Sequence, residues 1–337
     1  YRLEGAPVWE FEIAGFRRGD FSLFGKKAEG DLKFLSPYYP GKIPLVFVHG
    51  TGSSPARWAE MVNELLGDSH IAGRYQFWFF IYNSGNPVPL SAMHLRENLE
   101  LAFKELDPAG TDAALRQMVV IGHSQGGVLT KMTVVRTEDK IWRSLSDTPF
   151  NQMEIEPEGK ELIRKWIFIE PLPFVKRVVF ISTPHRGSFL AADWIRNTIR
   201  RIVDLPVATL RGADSLLRLE GKVKFPVQLE GKMPTSLDGM SPNNKSLMVL
   251  ADIPIEPGVT SHSIIAVKNP HAPKDEWTDG VVDYHSAHID GVASELVVHS
   301  GHSTQAEPAT IEEVRRILLE HLAEEGGCGL LRRRWQE

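Results

Sequence analysis

Short apolar runs along this chain alternate with segments in which apolar residues recur every three to four positions. The runs at 8–13, 43–49, 76–82, 118–122, 177–182, 263–267 and 295–299 are strand-length and bounded by turn residues, so they predict strands. Segments 57–66, 90–106, 127–135 and 311–324 predict helices, the last with Leu318, Leu319 and Leu322 facing the core. Strands separated by helices are the pattern of an α/β protein, because a parallel strand pair needs a long crossover and helices cover both sheet faces. The first 40 residues read instead as antiparallel edge strands.

Two segments interrupt the alternation and exceed the usual length of a connection. The first, 136–173, is charged and holds a Glu-rich stretch followed by a helical piece near 160–167. The second, 189–252, sets Leu190, Trp194, Ile195, Ile199 and Ile202 on one helical face and then runs through Pro and Gly to Pro242. It reads as a cap over the C-terminal edge of the sheet, a reading compatible with a stripe that docks one helix on the body. The expected organisation is a core of 1–188 and 253–326, a cap or lid of 189–252, and a tail of 327–337. No internal repeat or low-complexity stretch breaks it up.

Composition removes whole classes of function. A chain of 337 residues with ordinary apolar content can bury a full core. Its 38 basic and 43 acidic side chains leave a formal charge of −5, spread too evenly to favour nucleic acid or an anionic membrane. Arg332-Arg333-Arg334 reads as a solvated tail. No stretch approaches the roughly 18 consecutive apolar residues of a membrane span, so no transmembrane segment is expected, while peripheral contact with lipid stays open. One cysteine, Cys328, excludes an internal disulfide and lies far from the motifs, which argues against a catalytic thiol. The chain begins at Tyr1, so a removed leader and export stay open, as does the oligomeric state.

The candidate chemistry lies at Gly122-His123-Ser124-Gln125-Gly126, a G-x-S-x-G pattern between the 118–122 strand and the 127–135 helix. Ser124 would occupy a strained strand-to-helix turn, with small residues at 122 and 126 letting strand and helix approach closely. A serine hydroxyl is a weak nucleophile at neutral pH. It needs a base within hydrogen-bond reach and a third group to orient that base. The pattern resembles that of α/β-hydrolases, an arrangement that implies an acid after the next-to-last strand and a histidine after the last. Position selects Asp279, in Thr278-Asp279-Gly280, and His302, in Ser300-Gly301-His302-Ser303; Asp283 and His299 are their rivals. Acyl transfer also needs two backbone N–H groups aimed at the oxyanion. Gln125, after the serine, and Thr51, in His49-Gly50-Thr51-Gly52, are placed to supply them. His49 itself reads as a residue that packs within this loop, and neither glycine-rich phosphate-binding motif is present.

Together, 44–52 (Pro-Leu-Val-Phe-Val-His-Gly-Thr-Gly), 122–126, 182–188 (Ser-Thr-Pro-His-Arg-Gly-Ser), 279–282 (Asp-Gly-Val-Val) and 301–303 (Gly-His-Ser) resemble the blocks of bacterial lipases and carboxylesterases of the α/β-hydrolase superfamily. The resemblance covers about 44–322. It implies an α/β-hydrolase fold with a mostly parallel eight-stranded sheet, a Ser124–His302–Asp279 triad, an oxyanion hole from Thr51 and Gln125, and a cap inserted after 182–188. It sets the turn at 183–185 beside the pocket, with His185 read as structural, and makes His49, His123, His185 and Trp194 candidate pocket residues. The function implied is hydrolysis of a small-molecule or lipid ester through an acyl-enzyme, with no cofactor and no metal. An acyltransferase or a lipid-conjugate deacylase would use the same residues, and a silent scaffold that binds a partner is a third reading. One departure stands out: where many such lipases hold calcium with carboxylates near the histidine, Ser303, Thr304 and Gln305 follow His302. The cluster Asp283, His285, His288 and Asp290 lacks thiols and an H-E-x-x-H pattern, so it reads as a polar loop.

Overall fold

The computed structural model describes residues 30–188 and 239–325. The strand expected at 8–13, most of the cap segment with Trp194, and the tail with Cys328 lie outside the described residues. Seven strands among the described residues, where the resemblance implied eight, form one sheet: β1 (Asp31–Phe34), β2 (Ile43–Val48), β3 (Tyr75–Ile81), β4 (Met118–His123), β5 (Val175–Ile181), β6 (Thr260–Val267) and β7 (Ser294–His299). Their order is β1-β3-β2-β4-β5-β6-β7. Only β1 runs antiparallel, against β3, as expected for an edge strand ahead of the parallel body.

The apolar runs are continuous because both faces of the sheet are covered. Val46 and Val48 of β2, Val120 of β4 and Phe180 of β5 point into one core; Leu45, Phe47, Ile121 and Ile181 point into the other. The first core is covered by α3 (Val88–Leu106), α4 (Gln125–Lys131), α5 (Lys140–Leu145), α6 (Pro157–Ile167) and α7 (Lys245–Asp252). The second is covered by α1 (Ala59–Gly67), α2 (Ser69–Arg74) and α9 (Pro308–Glu325), while the short α8 (Tyr284–Ala287) lies against β6. With β2 and β5 as its partners, β4 is the central strand. Its C-terminal end therefore opens in the middle of the sheet edge.

Two boundaries differ from the periodic reading. Helix α4 stops at Lys131, short of residue 135, because the N–H groups of Thr133 and Val134 turn back to the Thr130 and Lys131 carbonyls and the Thr133 hydroxyl also takes Thr130 O. The second insertion rejoins the body before residue 253: Asn244 caps α7 through the Ser246 and Leu247 N–H groups, and Leu247 and Leu250 enter the first core.

At the opposite end of the sheet from Ser124, β5 presents Arg177, whose guanidinium is fully buried. It donates to His262 on β6 (2.6 Å), to His321 (3.3 Å) and Glu320 (3.2 Å) on α9, and to Glu324. His262 passes its own Nδ1–H to Ser294 Oγ (2.7 Å), and His321 donates to the Gln117 carbonyl (3.0 Å). Both imidazoles accept from a permanent cation, so both must stay neutral in the fold. Burial, and then the adjacent Arg177, pushes each down to about 4. The unfolded chain, with ordinary histidines near pH 6.5, thus binds these protons first. Stability falls as pH drops from about 6.5 to about 4, with a slope of about 1.4 kcal/mol per pH unit for each such histidine. Urea unfolding across that window should show the loss, and His262→Gln should make the slope shallower by about one proton.

Candidate active site

β4 ends in a turn that a side chain at 122 or 126 would block. A Cβ at Gly122 would collide with the Gly126 backbone and the Thr130 hydroxyl; one at Gly126 would come within 2.5 Å of the His49 carbonyl. With both positions bare, the start of α4 drops onto the ends of β4 and β2. The backbone between them is driven to φ 53° and ψ −126° at Ser124, a left-handed conformation for an L residue. Its N–H is tied to Ile181 O at 2.9 Å and its carbonyl to Gly127 N at 2.9 Å. The hydroxyl projects from a turn with no freedom to relax.

His302 lies beyond β7, and its Nε2 stands 2.9 Å from Ser124 Oγ. Its Nδ1–H donates to Asp279 Oδ2 at 2.7 Å. The other oxygen of Asp279 accepts from the N–H groups of Val281 (2.8 Å) and Val282 (2.7 Å), so the carboxylate is 1% exposed yet fully hydrogen-bonded. That pairing selects the tautomer whose Nε2 lone pair faces the serine hydroxyl. The rivals do not enter this arrangement: His299 bonds Lys268 O at 2.8 Å, and Asp283 pairs through its backbone with Thr278.

Thr51 and Gln125 meet beside the serine, the Thr51 hydroxyl donating to Gln125 Oε1. Among the described residues, no hydrogen bond uses the backbone N–H of either. The loop that holds Thr51 is steadied by Gly52 N–H, which donates to Ser84 Oγ at 2.9 Å. Ser84 was not singled out from the sequence. The turn-forming Asn83-Ser84-Gly85-Asn86-Pro87 after the β3 run was the available signal.

The other candidate histidines are buried and held neutral. His49 stacks on Tyr82 at 4.4 Å and shares Nδ1–H with Gly50 O at 2.9 Å, and burial pushes it down to about 4. His185 meets the Phe180 ring edge-on, and burial with Lys131 and Arg186 nearby lowers it well below its ordinary value. His123 lies under the turn, with Nε2 on the His302 carbonyl at 2.8 Å. In the 283–290 stretch, His288 pairs with Glu295 at 2.5 Å and Tyr284 donates to the same carboxylate at 2.6 Å. Among the described residues, no group of three or more His, Cys, Asp or Glu is placed to hold a metal ion. In the stretch after His302, Thr304 Oγ1 bonds Thr310 Oγ1 and Gln305 is buried.

The family model described as the Alpha/beta hydrolase family matches residues 45–314, and the chain belongs to that family. Among solved structures, the mature Bacillus licheniformis lipase BlEst2 is 14% identical with a TM-score of 0.49, over 86% of this chain and 98% of that one. A lipase-esterase related protein from Clostridium acetobutylicum is 13% identical (TM-score 0.42; 86% and 99% covered). The native esterase Est2 of Thermogutta terrifontis is 12% identical (TM-score 0.44; 91% of each chain). A search of curated proteins gave no match. Membership rests on the family model. Among the described residues, no helix is long and apolar enough to cross a membrane.

The turn makes its own prediction. Gly126→Ala should cost about 1–3 kcal/mol of unfolding free energy, because its methyl meets the His49 and Val48 carbonyls and neither can retreat without moving β2. Chemical denaturation of the variant beside the native chain measures it.

Proposed function

We propose that the protein is a serine hydrolase of carboxylic esters, with Ser124 as nucleophile, His302 as general base and acid, and Asp279 as the group that orients and stabilises the imidazole. The observation behind this is the unbroken chain from Ser124 Oγ through His302 to Asp279, at 2.9 Å and 2.7 Å.

In this reading His302 Nε2 takes the hydroxyl proton as Ser124 Oγ bonds to the ester carbonyl carbon. The carbonyl π electrons move onto oxygen, and the resulting oxyanion is met by the Thr51 and Gln125 N–H groups. Collapse re-forms the carbonyl and breaks the bond to the leaving alcohol, which collects the proton from His302. Water repeats the sequence on the acyl-enzyme, giving up its proton to His302, and the carboxylic acid departs as Ser124 regains its hydrogen. Asp279 stays ionised throughout and supports the imidazolium formed in each half-reaction. The unused N–H donors of Thr51 and Gln125, latched together by their side chains, support the oxyanion assignment.

Hydrolysis of a chain-length series of p-nitrophenyl esters tests the reading. Ser124→Ala should lower kcat/KM by at least about 10³-fold on the best substrate, and His302→Ala should do likewise. His299→Ala should retain most activity. Ester turnover that survives Ser124→Ala would refute the proposal.

A further inference from the structure

The histidine directly before the nucleophile has no part in the proton transfers, yet it is bonded to the residue that carries them out. His123 is the last residue of β4, and its ring points beneath the turn, 4% exposed. Its Nε2 lies 2.8 Å from the backbone carbonyl of His302, and the two rings are 5.0 Å apart. Since a carbonyl can only accept, Nε2 carries the hydrogen and donates it. That fixes the tautomer: Nδ1 keeps its lone pair. This Nδ1 is buried without a hydrogen-bond partner and faces Gly50, where a Cβ would come within 3.2 Å of it. Trp58 closes the remaining side, its ring edge-on to the imidazole with centroids 6.5 Å apart.

Residue 302 belongs to neither strand nor helix, so its position is set by what it is bonded to. Asp279 grips the side chain at Nδ1 and thereby sets the ring's rotation, but a ring held only there could still pivot with its loop. The backbone needs a second hold. We infer, resting on the ester-hydrolase reading above, that His123 is a positioning residue: its Nε2–H pins the His302 carbonyl to the end of β4, so that one rigid strand end sets the position of both nucleophile and base. Because 123 and 124 are consecutive, any shift of the turn moves the pin and the hydroxyl together. Burial pushes His123 down to about 3, which suits a ring 5.0 Å from one that becomes cationic during turnover. A second cation there would oppose the imidazolium of His302.

Two variants separate the pin from mere packing. His123→Phe keeps a ring in the space and removes the donor; His123→Gln keeps an N–H near the position of Nε2. Kinetics on the best ester of the series should show kcat lowered about 10–100-fold in the Phe variant with KM changed less than about threefold, since base geometry matters to the bond-making step and not to binding. The Gln variant should recover to within a few-fold of the native kcat. In parallel, proton NMR should show the downfield His302 Nδ1–H resonance in the native and Gln chains, broadened or lost in the Phe chain. A Phe variant with native kcat and a native downfield signal overturns the inference. So does equal loss of kcat in both variants, which would assign the effect to packing. If the native chain shows no Ser124-dependent turnover, the ester-hydrolase reading fails, and the NMR comparison still decides whether the carbonyl is pinned.

Discussion

Everything at this site depends on a single strained backbone position. A left-handed serine costs on the order of 1–3 kcal/mol and persists only where its surroundings leave no alternative. Here the alternatives are closed from several sides: α4 lies against the end of β2 at Gly126 and against Thr183 at Gly127, while Ser124 N–H is anchored to β5. The absence of two side chains, at 122 and 126, permits that compression. Strain is therefore held by the packing of a parallel sheet, with β4 at its centre and both faces buried.

The same architecture explains how parts scattered over 250 positions meet. In a parallel sheet all C-terminal strand ends open on one edge, so β2 delivers the Thr51 loop, β4 delivers Ser124, β6 leads to Asp279 and β7 leads to His302. The loops beyond these ends are then fixed by specific bonds: Gly52 to Ser84, Asp279 to Val281 and Val282, and His302 to both Asp279 and His123. Polarity is arranged with equal care. His49, His123 and His185 are kept uncharged by burial, and the imidazole beside the Ser124 hydroxyl is that of His302.

Much of this was legible in the residues. The strands at the centre of the sheet were read within a residue or two because burial on both faces makes them uninterrupted apolar runs, and the serine turn announced itself by its glycines. His302 was favoured over His299 because a residue on the turn beyond a strand end can reach back to the elbow, and Asp279 over Asp283 because it precedes a glycine on its loop. What sequence could not supply was the direction of side chains that no periodicity governs. His123 was a candidate pocket residue, but its ring is buried under the turn and bonded to the His302 carbonyl. Ser84 and Arg177 act through partners more than 30 positions away, and nothing local in the sequence marks such pairs. The end of α4 at Lys131 was hidden for a different reason: the competing threonine hydrogen bonds lie within a stretch that is otherwise periodic.

The central claim is that this turn activates Ser124 through His302. A fluorophosphonate probe tests it without knowledge of the natural ester, because phosphorus accepts the activated serine oxygen and loses fluoride only where a base removes the hydroxyl proton. Intact-mass and peptide mass spectrometry after labelling should find one phosphonyl group, located on Ser124, at a rate that His302→Ala lowers by at least about 10²-fold. Labelling at another residue, or labelling of Ser124 at an undiminished rate in His302→Ala, would contradict the account.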